Sequence, residues 1–386
     1  MVKLSLENLL GSSPNLLAGR RVGLVASPSS IDAKLTSTIT RLHQHSGIYL
    51  KALFGPEHGL RGEAQAGEPV RSYIDPITGL PVYSLYGATQ TLSREMFSDM
   101  DLLIFDMQDG GVRFFTYLAT LAAIMQAVAD QGIPLVVLDR PTPLGGNQVE
   151  GPVLNPAYRS FVGPFPIPIR YGMTIGEIAL LFNRHFAIHC DLQVIPLSGW
   201  HREMWYDQTG LPFVPLSPNL PTLRSLTVYP GTCLVEGTNL SEGRGTTMPF
   251  EYIGAPWIHA EQLADEMNAL DLPGVRFRPV FFIPTFSKFE GQSCQGVHIY
   301  VVERAQYLPI ETALHLLAMV KADYPEQFDW LEPKTPDGIY PIDLLYGSSS
   351  ARIHLDALRP VEELVSEWRE ELEDFSKIRA EYLIYS

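Results

Sequence analysis

The sequence predicts an α/β protein built on an open, doubly wound, mostly parallel sheet, with a second, smaller α+β domain. Three observations carry that expectation. Short apolar runs of strand length recur through the first half, with helix-like segments between them. These runs are apolar throughout rather than alternating, as strands covered on both faces must be. At 386 residues the chain also exceeds what one hydrophobic core usually covers, so two domains are the default.

The strand candidates are "RVGLVAS" (21–27), "IYLKALF" (48–54), "LLIFDM" (102–107), "PLVVLDR" (134–140) and "LQVIPLS" (192–198). A shorter one, "LPVYSLYG" (80–87), lies between the second and third. "IDAKLTSTITRLHQH" has helical spacing, with Asp32 at its start. "FFTYLATLAAIMQAVADQG" is a strong helix closed by Gly132. "MTIGEIALLFNRHF" opens with Thr174 as N-cap and Glu177 three residues on, a capping box. Strand–helix alternation of this kind makes a doubly wound sheet. Around 210–230 the proline-rich "LPFVPLSPNLPTLRSLTVYPG" reads as an extended linker, which divides the chain into residues 1–225 and 226–386. The second part offers the strands "VRFRPVFFIP" and "QGVHIYVVE", helices near 259–269 and 309–323, and a charged helix from Val361 with a solvated acidic face.

A hydrophobic content of 46% with 18% charged residues describes a folded chain. The formal net charge of -15 argues against nucleic acid and anionic membrane as partners. Cys190, Cys233 and Cys294 are widely spaced, suggesting buried thiols in a reducing compartment rather than a disulfide framework or a zinc site. The sequence as written has no apolar leader and no run that could span a membrane, which leads us to expect a cytoplasmic protein.

In open α/β sheets, ligands bind beyond the carboxyl ends of the strands. There this chain places Ser27, then Glu57 and His58, then Asp106, Gln108 and Asp109, then Asp139 and Arg140. Any one of these could be a helix cap or a wet loop residue; together they are expected to converge. No phosphate-cradling glycine motif follows the first strand, no GxSxG elbow occurs, and no His/Asp cluster has ligand spacing, so neither cofactor nor metal is expected. Carboxylates and amides at strand ends suit general acid–base work on sugars. A second unusual stretch, "VEGTNLSEGRGTTMPFEYIGAPW" (235–257), packs Glu236, Asn239, Arg244 and Glu251 among glycines. It is expected either to be a braced interdomain loop or to close over the crevice. Trp200, Trp205, Tyr229 and Trp257 are candidates for stacking on sugar rings.

The stretches "LFGPEHGLRG", "TGLPVYSLYG", "FDMQDGGVRFFTY", "VLDRPTPLGG", "VEGPVL", "PIRYGMTIGEIA", "SPNLPT", the 235–257 segment and "TFSKFEGQSCQGV" occur in order along most of the chain. Together they resemble the exo-β-N-acetylmuramidase family of glycoside hydrolases. The resemblance implies release of N-acetylmuramic acid from the non-reducing end of peptidoglycan fragments. It also implies a Rossmann-like domain joined to a smaller one, with the site in the cleft between them. Glu57 of "PEHG" is then the favoured catalytic carboxylate. Two departures from the family pattern are Ser27, where an Asn is usual, and Gly110, where an aliphatic is usual.

Muramic acid carries a lactyl carboxylate, whose natural partner is an arginine fork. Arg61, Arg113, Arg140 and Arg244 are the candidates. Glu57 is expected as general acid, with Asp139 or Asp106 as base or nucleophile. Alternatively the substrate's own acetamido group attacks, oriented by an Asp or Tyr117; His58 either orients Glu57 or bonds to backbone. The rival readings are a β-N-acetylglucosaminidase and a non-catalytic sugar- or nucleotide-binding protein.

Overall fold

A computed structural model describes the chain except for residues 13, 63, 65–70, 86–91 and 336–337. The strands of the first half are β1 (Arg21–Ala26), β2 (Tyr49–Gly55), β3 (Tyr73–Ile74), β4 (Pro81–Ser84), β5 (Leu102–Asp106) and β6 (Leu135–Leu138). A separate antiparallel pair, β7 (Glu150–Val153) and β8 (Pro168–Arg170), precedes β9 (Leu192–Ile195). The central sheet has the order β3-β4-β2-β1-β5-β6-β9, with every pairing parallel except β3 against β4. The order reverses between β1 and β5, the switch point of a Rossmann-like sheet. All five long strand candidates are strands. Of the shorter candidate at 80–87, residues 81–84 form β4, and 86–87 lie outside the described residues.

The second half forms β10 (Tyr252–Ala255), β11 (Val275–Phe282) and β12 (Cys294–Val301), an antiparallel sheet in the order β10-β12-β11. Helices Ala260–Ala269 and Pro309–Asp323 pack with it, giving the smaller α+β unit. The last helix, Val361–Ala380, buries Val361, Leu364, Trp368 and Phe375 along one stripe and leaves its acidic face in water. Its stripe covers β7, and the final residues return to the first half. There Ile384 N–H donates to Glu177 (2.8 Å) and Tyr385 Oη to Asp139 (2.6 Å). One apolar cluster accordingly runs through both halves, from Val25 and Phe105 to Val297 and Trp368.

Two local expectations are corrected. The helix expected from residue 31 begins only at Thr38, capped by the Ser37 hydroxyl. Asp32 instead closes a turn, its Oδ1 accepting from the backbone N–H groups of Lys34 and Thr36 at 2.9 Å each. The expected linker at 210–230 contains a helix, Leu223–Thr232, with Thr222 capping it and Pro230 inside its last turn. The cap and box at Thr174 and Glu177 are as expected. The three cysteines are buried and unpaired.

Candidate active site

Strand β2 is buried to its end at Gly55, and the chain must then turn sharply. A side chain at Gly55 would meet the Leu60 backbone nitrogen at 2.9 Å, so the loop folds directly back over the strand. His58, Gly59 and Gly62 take left-handed φ values of 72°, 80° and 79°. This tight loop presents Glu57 and His58 to a cavity of about 750 Å³. Thr116 Oγ1 donates to Glu57 Oε2 at 2.7 Å. Thr116 is also the first residue ahead of the helix Tyr117–Gln131, so the carboxyl lies at a helix N-terminus, where negative charge is favoured. The ring of His58 meets the Ala64 carbonyl at 2.9 Å through Nδ1. A carbonyl only accepts, so Nδ1 carries a proton and donates it to Ala64.

Both halves of the chain wall the cavity. The first supplies Glu57, His58, Phe114, Thr116, Ser217 and Asn219; the second supplies Tyr229, Cys233, Glu236, Glu242, Arg244 and Lys288. Arg244 is the hub of the second wall. Its Nε reaches Glu236 at 3.0 Å and Glu242 at 3.2 Å, its Nη2 also bonds Glu236, and its plane covers Phe250 at 5.1 Å. Burial works against its charge, but Glu236 and Glu242 outweigh that and raise its pKa. Lys288 Nζ donates to the Val235 and Leu240 carbonyls (3.1 and 2.9 Å) and forms an ion pair with Glu242 Oε2 at 3.0 Å. Arg244 Nη1, by contrast, makes no hydrogen bond among the described residues.

The other candidates from the sequence have different surroundings, and none of them lines this cavity. Asp106 and Arg140 form a buried ion pair at 2.6 and 3.0 Å, reinforced by Thr38 Oγ1 at 2.5 Å and by the Ile31 carbonyl. They fill the switch point with protein. Asp139 is fully buried and accepts from the Arg140 and Gly176 N–H groups, the Thr174 hydroxyl and the Tyr385 hydroxyl; burial pushes it up to about 7. Its work is to fasten the 175–184 helix and the C-terminus to the sheet. Gln108 donates to the Asp109 and Pro141 carbonyls. Asp109 itself is buried under Tyr171 and pushed up to about 6.

Arg113 is completely buried and gives its two Nη groups to four carbonyls, those of Pro152, Ile167, Leu345 and Tyr346, while burial pulls it down to about 9. Arg61 lies outside, paired with Asp75 at 2.8 Å. Tyr117 is buried against Phe115, its hydroxyl 3.4 Å from the Leu216 carbonyl, and burial raises the phenol. Asn239 braces residues 327–329. Glu251 pairs with Arg224 (3.0 Å) and His298 (3.4 Å). Of the four stacking candidates, only Tyr229 faces the cavity.

The sequence reading passed over Thr116, Glu242 and Lys288. Glu242 and Lys288 stood in the quoted glycine-rich stretches, but nothing local separates them from solvated charges. Ser27 hydrogen-bonds Ser29 at 2.8 Å, and a side chain at Gly110 would press on Phe115 at 3.1 Å. Among the described residues no three His, Cys, Asp or Glu side chains gather as a metal site, and no helix is long and apolar enough to cross a membrane.

A Rossmann-like sheet with an acidic cavity shared with a second α+β unit defines a two-domain α/β protein with a cavity between the halves. The models described as exo-beta-N-acetylmuramidase NamZ, N-terminal and C-terminal, match residues 22–224 and 227–385. The chain belongs to that family. It is 48% identical over 384 residues to the peptidoglycan beta-N-acetylmuramidase NamZ of Bacillus subtilis (strain 168), covering 100% of this chain and 91% of that protein. Two DUF1343 family proteins of Bacteroides fragilis have the same fold. One superposes with a TM-score of 0.91 at 37% identity, the other with 0.77 at 28%, each match covering 100% of this chain and 99% of its counterpart.

Proposed function

We propose that this chain is an exo-acting β-N-acetylmuramidase, a glycoside hydrolase that releases N-acetylmuramic acid from the non-reducing end of peptidoglycan-derived saccharides. The observation that carries the assignment is the placement of Glu57. It is a carboxyl at the end of a central strand, opening into a cavity closed by both halves, in a chain 48% identical to a peptidoglycan beta-N-acetylmuramidase. Glu57 acts as general acid on the departing oxygen. Thr116 orients the carboxyl by donating to Oε2 at 2.7 Å.

Glu236 and Glu242 take the part first given to Asp106 and Asp139, facing the developing positive charge at the anomeric carbon. Glu242 lies between two cations, 3.2 Å from Arg244 Nε and 3.0 Å from Lys288 Nζ. Arg244, which lines the cavity, binds the lactyl carboxylate through Nη1, the nitrogen that makes no hydrogen bond among the described residues. The net charge of -15 disfavours nucleic acid as a partner.

The test is turnover of chromogenic β-N-acetylmuramide and β-N-acetylglucosaminide by the wild type and by Glu57→Gln. The wild type should strongly prefer the muramide, and in the variant turnover of muramyl-N-acetylglucosamine, whose leaving sugar needs protonation, should fall about 10²–10⁴-fold. Equal rates on both sugars would make the protein a glucosaminidase, and binding without turnover would make it a sugar-binding protein.

A further inference from the structure

We infer that a second, open groove beside the cavity is the subsite for the neutral N-acetylglucosamine that remains after muramic acid leaves. This rests on the muramidase reading and adds where the rest of the saccharide lies. The groove is about 870 Å³ and adjoins the cavity, the two sharing Asn219 and Phe286 in their walls. One pinned wall separates the two. Thr285 donates to the Gly245 carbonyl from both its N–H and its hydroxyl, at 2.9 Å each. Gly245 sits at φ 78°, and a side chain there would strike the Phe286 backbone at 2.7 Å. Arg244 therefore faces the cavity while its neighbours Gly245, Thr246 and Thr247 face the groove.

The chemistry of the lining selects the occupant. The lining combines apolar faces with hydroxyl and amide groups, and among the described residues it holds no charged side chain. Phe281 and Ile283 stand 59% and 57% exposed, beside a partly exposed Phe286, a cluster that a folded protein rarely leaves open without use. A pyranose ring offers C–H faces to aromatics and hydroxyls to Thr and Asn side chains. A peptide stem with its free carboxylates would find no cation. An exo-enzyme encloses the terminal sugar and must let the remainder leave through an open side, and this groove is such an exit.

The experiment compares kcat/KM on muramyl-β-1,4-N-acetylglucosamine with kcat/KM on the chromogenic muramide, which has no second sugar. For Phe281→Ala the disaccharide-to-chromogenic ratio should fall about tenfold, and Phe281→Tyr should restore it. Because Phe281 is more than half exposed, the melting temperature should stay near the wild type's. An unchanged ratio, or equal loss on both substrates, overturns the assignment. So does a wild-type dimer that Phe281→Ala dissociates without changing the ratio, since the patch would then be an interface between copies. Wild type that cleaves neither substrate would instead remove the muramidase reading beneath it.

Discussion

Arg244 gives the residue-scale account its sharpest consequence. A lysine there keeps the charge but loses the planar fork that holds Glu236 and Glu242 and is proposed to take the lactyl group. Arg244→Lys should lower the muramide-to-glucosaminide ratio of kcat/KM by roughly 10–100-fold, as removal of a charge-assisted contact does. A ratio that stays put would place the lactyl group elsewhere. Glu57 was legible in the sequence because it follows a buried strand and sits among glycines. Asp106, Asp139 and Arg140 carry the same local signature for another reason. They end their strands as buried charges satisfied by Thr38, Thr174 and Tyr385, partners 68, 35 and 246 residues distant in sequence for the two aspartates. Separation of that size hides a structural role behind a catalytic appearance. Arg113 misled in the same way, since carbonyl partners leave no mark in a sequence.

At the scale of elements, the central sheet could be read because its strands are continuous apolar runs, whereas the 223–232 helix was masked by proline. Pro230 is the third residue from that helix's C-terminal end, where one lost backbone bond is tolerable and the Thr222 cap compensates at the other end. Gly231 shows what the helix is for. A side chain there would come within 1.8 Å of the Pro309 carbonyl, so helices 223–232 and 309–323 touch backbone to backbone. Gly231→Ala should cost about 1–3 kcal/mol or more by overpacking. Urea unfolding followed by circular dichroism measures it, and a variant as stable as the wild type would mean the helices separate freely. The second sheet was only partly legible: β10 is four residues long and contains a glycine that packs against Gln295, which leaves no apolar pattern to detect.

For the whole molecule, the cavity exists only while the two halves stay fixed, and buried polar braces hold them. Glu150 of β7 accepts from the Ile310 and Glu311 N–H groups at 2.8 and 3.0 Å, while its Oε2 is buried without a partner. Burial pushes this carboxyl from its usual 4.5 to about 8. Between those values the folded chain holds a proton that the unfolded chain has released, so stability falls as pH rises, by at most about 1.4 kcal/mol per pH unit from this group. Glu150→Gln, which is neutral throughout, should therefore show a shallower fall in melting temperature from pH 5 to pH 8. Parallel curves for the two proteins would mean the carboxyl is already ionised in the fold.

The central claim is that Glu57 delivers a proton to the leaving oxygen, and the dependence on leaving group tests it most directly. An activated dinitrophenyl muramide departs without protonation, whereas the sugar of muramyl-N-acetylglucosamine needs it. Glu57→Gln should keep most of the wild-type rate on the dinitrophenyl substrate and lose about 10²–10⁴-fold on the disaccharide. Equal losses on the two substrates, or none on the disaccharide, would contradict the account.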